Sequence, residues 1–208
     1  MHFSKRDLIF SIITGLATGS IVWRILEFLD TPIFFNTPFY WFIIIVPVFW
    51  ILGVNFGYFL GKRFEFFNQF GKFVAIGFTN AAIDFGVFNL LIFLTGITGG
   101  FVVSTFKGVG FIFAIINSYF CNKYWSFYQN STNAISTSEF IKFFVVSIAG
   151  LLVNVGIFSL VVNFVSPLYG LSPERWANVG AMAGSAVALI VTFMGFRLVV
   201  FKGSAQKL

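Results

Sequence analysis

Apolar residues run along this chain in stretches of about 20, each enough for a ~30 Å hydrocarbon core. The stretches are Asp7 to Leu29, Phe39 to Leu60, Phe73 to Thr95, Phe101 to Asn122, Phe140 to Val165 and Ala177 to Val200. This pattern predicts an all-α membrane protein with six transmembrane helices. Ser4 with Asp7 and Ser136 with Glu139 read as capping boxes, and Thr37-Pro38 and Ser172-Pro173 place a cap before a proline at the first helical position. Pro47 predicts a kink in the second helix. The first run continues to Trp23 without a small-residue cleavage site, so it is read as an uncleaved span.

Composition sharpens this picture. Of 208 residues, 58% are hydrophobic and 10% charged, which excludes a water-soluble surface. Lys5, Arg6, Lys62, Arg63, Lys72, Lys123, Lys142, Arg197, Lys202 and Lys207 fall on one side of the six-span layout, against Arg24, Lys107 and Arg175. The positive-inside rule then puts both termini in the cytoplasm of a multi-pass cytoplasmic-membrane protein. That bias accounts for the net charge of +6, and no nucleic-acid partner is needed to explain it. Cys121 and His2 are the only residues of their types, so no intrachain disulfide, metal site or cofactor is expected. No extramembrane segment has the length of a catalytic domain, and enzymatic activity is not expected. The Asn130-Ser131-Thr132 sequon lies in a predicted cytoplasmic loop, where glycosylation is not expected.

The chain also repeats itself. "KFVAIGFTNAAIDFGVFNL" from Lys72 and "KFFVVSIAGLLVNVGIFSL" from Lys142 share a lysine, a phenylalanine, a glycine, a second phenylalanine and a leucine in register, with Asp84 opposite Asn154. "YFCNKYWSF" and "FMGFRLVVF" both end an apolar run with a cation four residues before a phenylalanine, Lys123 before Phe127 and Arg197 before Phe201. The repeating unit is a helical hairpin. "YFLGKRFEF" places Lys62 similarly, so residues 1–66 read as a third, diverged hairpin ahead of a four-helix domain at 70–202, built from hairpins at 70–127 and 140–201, with a short tail at 203–208. Cations and aromatics at helix exits also serve as plain interfacial anchors.

Polar residues inside the runs carry the candidate chemistry. An aspartate at the centre of a membrane helix costs roughly 2.5 to 3.5 kcal/mol on insertion scales, so Asp84 requires compensation. Asn80 lies one turn from it, and Asn117 with Cys121, or Ser118 with Asn122, share faces of the next helix, which predicts a polar seam between the third and fourth helices. At ~1.5 Å per residue, Asn117, Asn80, Asp84 and Lys107 form a ladder rising from the Lys72 and Lys123 end, and Lys107 is the expected partner of Asp84. For Asn117 and Asn154, interhelical hydrogen bonding is the competing structural role.

The G-x-x-N-x-x-x-D core (Gly77, Asn80, Asp84), the N-K-x-W-x-F exit (Asn122, Lys123, Trp125, Phe127) and the repeated hairpin resemble the GtrA-like family of small membrane proteins over about residues 70 to 202. The resemblance implies flippase-like translocation of a polyprenyl-phosphate-linked monosaccharide for cell-surface polysaccharide, with a membrane glycosyltransferase as partner. Such a substrate needs cations for its phosphodiester, here Lys72, Lys123, Lys142 and Arg197. It also needs a polar track for its head, here Asn80, Asp84, Lys107, Asn117, Asn122 and Asn154. Two departures stand out: family members usually have four helices, and the second exit has Phe196 and Val199 where the first has Asn122 and Trp125. A small proton-coupled exporter and a non-transporting scaffold for a glycosyltransferase are the alternatives, and a homo-oligomer fits any of the three.

Overall fold

In a bilayer, large apolar side chains face outward while small and polar ones pack inward. Helix α1 (Lys5–Phe28) follows that rule through Gly19, burying Asp7, Ser11, Thr14, Gly15, Thr18 and Gly19. Its large residues Leu8, Ile9, Ile12, Ile13 and Leu16 are exposed. The computed structural model describes residues 2–29, 38–97, 100–128, 137–170 and 173–201. Within them all regular structure is helical, continuing with α2 (Phe42–Gly61), α3 (Phe67–Thr95), α4 (Gly100–Cys121), α5 (Thr137–Phe164) and α6 (Pro173–Gly195). Among the described residues, four segments are long and apolar enough to cross a membrane: Lys5–Phe28, Phe39–Gly61, Phe67–Thr95 and Thr137–Asn154. The protein is a membrane protein with several apolar helices.

The helix ends have local causes. Ser4 caps α1 as a full capping box: the Asp7 amide donates to Ser4 Oγ at 3.2 Å and the Ser4 amide donates to Asp7 Oδ2 at 2.9 Å. Pro38 leads into a single 3-10 turn at Phe39–Trp41 instead of opening α2 directly. Gly96 ends α3 in the left-handed conformation (φ 68°), which glycine adopts without a Cβ penalty. The caps expected at Thr37, Ser136 and Ser172 lie outside the described residues. Helices α4 and α6 both finish in five-residue π-helical turns, Asn122–Ser126 and Phe196–Val200. In each, the amide of the closing phenylalanine reaches back five residues: Phe127 to the Asn122 carbonyl at 2.8 Å, Phe201 to the Phe196 carbonyl at 2.9 Å.

The chain forms two compact units, Met1–Tyr128 and Gln129–Leu208. In the first, α1 packs on α2 and α3, and α3 packs on α2 and α4. Close approach of α1 to α2 depends on Gly15, where a Cβ would lie 2.5 Å from the Cα of Pro47. The core at one end holds Val54, Tyr58, Ala75, Ile76, Cys121 and Trp125. Helix α2 ends without a π-turn and leaves Lys62 exposed, so the N-terminal hairpin lacks the terminal device of the other two. In the second unit α5 packs on α6, and Phe143 stacks on Phe196 at 4.3 Å between ring centroids.

Candidate functional site

Asp7 is the centre of a polar site in the first unit that draws on four elements. It is 1% exposed. Its Oδ1 accepts from Trp125 Nε1 at 3.0 Å and pairs with Lys72 Nζ at 2.8 Å. Its Oδ2 accepts from Tyr58 OH at 2.9 Å, from Ser4 Oγ at 2.7 Å and from the Ser4 amide. The site thus joins α1, α2, α3 and the π-turn after α4. Phe10 stacks on Trp125 at 5.4 Å, and the Lys72 ammonium stands 5.1 Å from the centre of the Tyr58 ring. A carboxylate here is tolerable because its charge is matched and each oxygen is held by directed donors.

Sequence reasoning assigned Asp7 only to the α1 cap and missed this role. The signal was present: Asp7, Ser11, Thr14 and Thr18 follow one helical face, and that face meets α3, where Thr18 Oγ1 donates to Thr79 Oγ1 at 3.0 Å. A polar seam therefore runs between α1 and α3 as well as between α3 and α4.

The α3–α4 seam contains Asn80 and Asn117, with Asn117 Nδ2 donating to Asn80 Oδ1 at 2.7 Å. Cys121 lies one turn farther along α4, its Sγ donating to Asn117 Oδ1 at 3.5 Å. Asn122 Nδ2 donates to the Ser118 carbonyl at 2.9 Å. Asn122 Oδ1 is buried without a hydrogen-bond partner among the described residues.

Lys123 is fully buried, with its ammonium 5.7 Å from the centre of the Tyr119 ring. The π-turn inserts an extra residue into the helical repeat and rotates the side chains beyond it, so Lys123 and Trp125 both face the packed interior. Ser126 Oγ secures the turn by donating to the Gln69 carbonyl on α3 at 3.1 Å.

Asp84 packs against Gly110 of α4, where a Cβ would lie 2.5 Å from the Asp84 carbonyl oxygen and 2.8 Å from its Oδ1. In the second unit, a Cβ on Gly184 would lie 2.5 Å from the Asn154 carbonyl oxygen and 3.1 Å from its Oδ1. The two hairpins thus place the same contact at the same register. The expected Asp84–Lys107 pair involves a side chain that lies outside the described residues. In the second unit Arg197 is half-buried in its π-turn, while Lys142 is exposed on the first turns of α5. Lys72, Asn80, Asp84, Asn117, Asn122 and Lys123 belong to the first unit, and Lys142, Asn154 and Arg197 to the second.

Compared with known proteins, residues 72–201 match the family described as GtrA/DPMS, transmembrane domain. The match begins at Lys72 and takes in both π-turns, whereas Asp7 and Tyr58 precede it. No curated protein and no solved structure matches the chain.

Proposed function

We propose that this chain, which belongs to the GtrA/DPMS transmembrane-domain family, moves a polyprenyl-phosphate-linked monosaccharide across the cytoplasmic membrane. Six spans, with both termini in the cytoplasm, carry out the transfer, and a separate membrane glycosyltransferase uses the sugar for cell-surface polysaccharide. The observation that carries this reading is the enclosure of two lysines of the family segment, Lys72 and Lys123, at one end of a helix group. Enclosed ammonium groups in a membrane protein are costly and suit recognition of an anion.

The phosphodiester provides that anion, and its prenyl chain remains in lipid. Asp7 neutralises Lys72 in the arrangement described here, and the substrate phosphate replaces that carboxylate on arrival. The monosaccharide then meets the amides of Asn80, Asn117 and Asn122 and the Asp84 carboxylate, which exchange hydrogen bonds with its hydroxyls. Lys142, Asn154 and Arg197 supply the corresponding groups in the second hairpin.

The test is transport of a prenyl phosphosugar by reconstituted protein carrying Lys123→Gln or Lys123→Arg. Loss of a charged hydrogen bond to the phosphate lowers uptake at sub-saturating substrate about tenfold in the Gln variant, while the Arg variant keeps most of the rate. Equal rates in all three proteins would reduce Lys123 to an anchor.

A further inference from the structure

The N-terminal hairpin contributes a second feature, at the opposite end of α1 and α3 from Lys72. A cavity of about 640 Å³ opens between these helices, with Ser20, Arg24 and Glu27 of α1 and Asn89 of α3 as its polar lining. The rest of its wall is apolar, closed on one side by Phe28 and Phe93, which meet edge to face at 5.9 Å. That volume lies within the roughly 300–1,000 Å³ range of small-molecule sites. Counted along α3, Leu90 on the cavity wall lies ~27 Å from Lys72, close to the hydrocarbon thickness of a bilayer. Between the two ends the helices are closely packed, with Thr14, Thr18 and Thr79 all buried.

The lining is chemically mixed. Arg24 Nη1 donates to Glu27 Oε2 at 2.9 Å, and Trp23 Nε1 donates to Glu27 Oε1 at 2.5 Å, so a cation and an acceptor are presented side by side on one helix. The Arg24 side chain is 73% exposed and available to a ligand. Arg24 is paired with Glu27, and a phosphodiester binds by taking Glu27's place on the guanidinium, one charge for one. The Glu27 carboxylate, the Asn89 amide and the Ser20 hydroxyl suit a head rich in hydroxyl groups, whereas Glu27 opposes any head with two or more negative charges.

We propose that this cavity is a binding site for the head and first isoprene units of a single-chain prenyl phosphosugar at the membrane face opposite Lys72. Arg24 takes the phosphodiester, and Glu27 and Asn89 take sugar hydroxyls. The proposal rests on the translocation reading above and adds a second, chemically selective seat to it. That seat is built partly from residues that precede the family segment. It favours phosphodiesters over diphosphates and over neutral prenols.

Cysteine protection in the full chain tests this. Val87 lines the cavity, and the natural Cys121 is buried, so Val87→Cys adds one reactive thiol and the wild-type chain serves as the blank. In phosphatidylcholine nanodiscs, geranyl phosphoglucose should slow thiol modification by a charged methanethiosulfonate about elevenfold at ten times its Kd, by mass action. Geraniol and geranyl diphosphate should protect far less. Adding Arg24→Gln, at a side chain whose exposure makes misfolding no concern, should weaken binding about tenfold and so cut protection at the same probe concentration from about elevenfold to about twofold.

The proposal is overturned by absence of protection, by protection unaffected by Arg24→Gln, or by equal protection from geranyl diphosphate. Equal protection in phosphatidylglycerol nanodiscs without the probe would also overturn it, as the mark of an unselective lipid seat. Transport of the same lipid, measured in parallel, separates the two readings. Protection without transport keeps the site and removes translocation, while transport without protection removes the site and keeps translocation.

Discussion

Replacing Asp7 by alanine tests how the N-terminal hairpin is joined to the family segment. The substitution removes the acceptor for Lys72 Nζ, Tyr58 OH and Trp125 Nε1, and it also removes half of the α1 capping box. Breaking one side of a buried ion pair costs about 3–5 kcal/mol, because the remaining charge stays buried without its partner. For a chain of this length each kcal/mol moves the unfolding midpoint by about 2–4 °C, so the expected fall is roughly 6–20 °C. Lys72→Met should be milder, since Asp7 keeps its donors from Ser4, Tyr58 and Trp125. The double variant Asp7→Leu with Lys72→Met should recover the part of the loss due to the stranded Lys72 charge, while Tyr58 OH and Trp125 Nε1 stay without their acceptor. Thermal unfolding in one detergent, followed by tryptophan fluorescence, measures all four proteins. A midpoint for Asp7→Ala within about 2 °C of wild type would refute the reasoning. So would a double variant whose loss equals the sum of the single losses.

Two other outcomes follow from the same contacts. A Cβ at Gly110 or Gly184 would push on the α3 or α5 backbone, so Gly110→Ala and Gly184→Ala should each cost about 1–3 kcal/mol in detergent stability, while Gly53→Ala, which meets nothing within 4 Å, should be nearly silent. Asp84→Asn should fold normally, because Asn154 occupies the matching contact beside Gly184, and should lower transport of the lipid-linked sugar; full transport by a well-folded variant would make Asp84 structural.

The helices were legible because an apolar run has one dominant cause. The third run, read as Phe73 to Thr95, ends at the residue where α3 ends, and the fourth, read from Phe101 to Asn122, differs from α4 by one residue at each end. The Asn80–Asn117 bond also follows from local information, since both amides fall on faces that a helical hairpin turns toward each other. The Asp7 site was hidden for the opposite reason. Its partners Tyr58, Lys72 and Trp125 come from three other elements, and only packing unites them. The capping box supplied a sufficient local explanation for Asp7 and drew attention from the polar face that continues through Ser11, Thr14 and Thr18. The π-turns left a weaker trace. Lys123 before Phe127 and Arg197 before Phe201 share a spacing, but that spacing cannot distinguish an α-helical exit from a π-helical one. Burial of Lys123 depends on that distinction.

The central claim is that the protein itself carries the lipid-linked sugar across the bilayer, and flux in vesicles containing no other protein tests it most directly. A fluorescent short-chain prenyl phosphosugar is placed in both leaflets, and a membrane-impermeant quencher reports how fast inner-leaflet molecules reach the outside. The account predicts that purified wild-type chain converts a slow, partial loss of fluorescence into a rapid and complete one, and that Lys123→Gln slows this while Lys123→Arg does not. Fluorescence loss identical to that of empty vesicles, from folded protein that still co-purifies with a glycosyltransferase, would contradict the account and identify a scaffold.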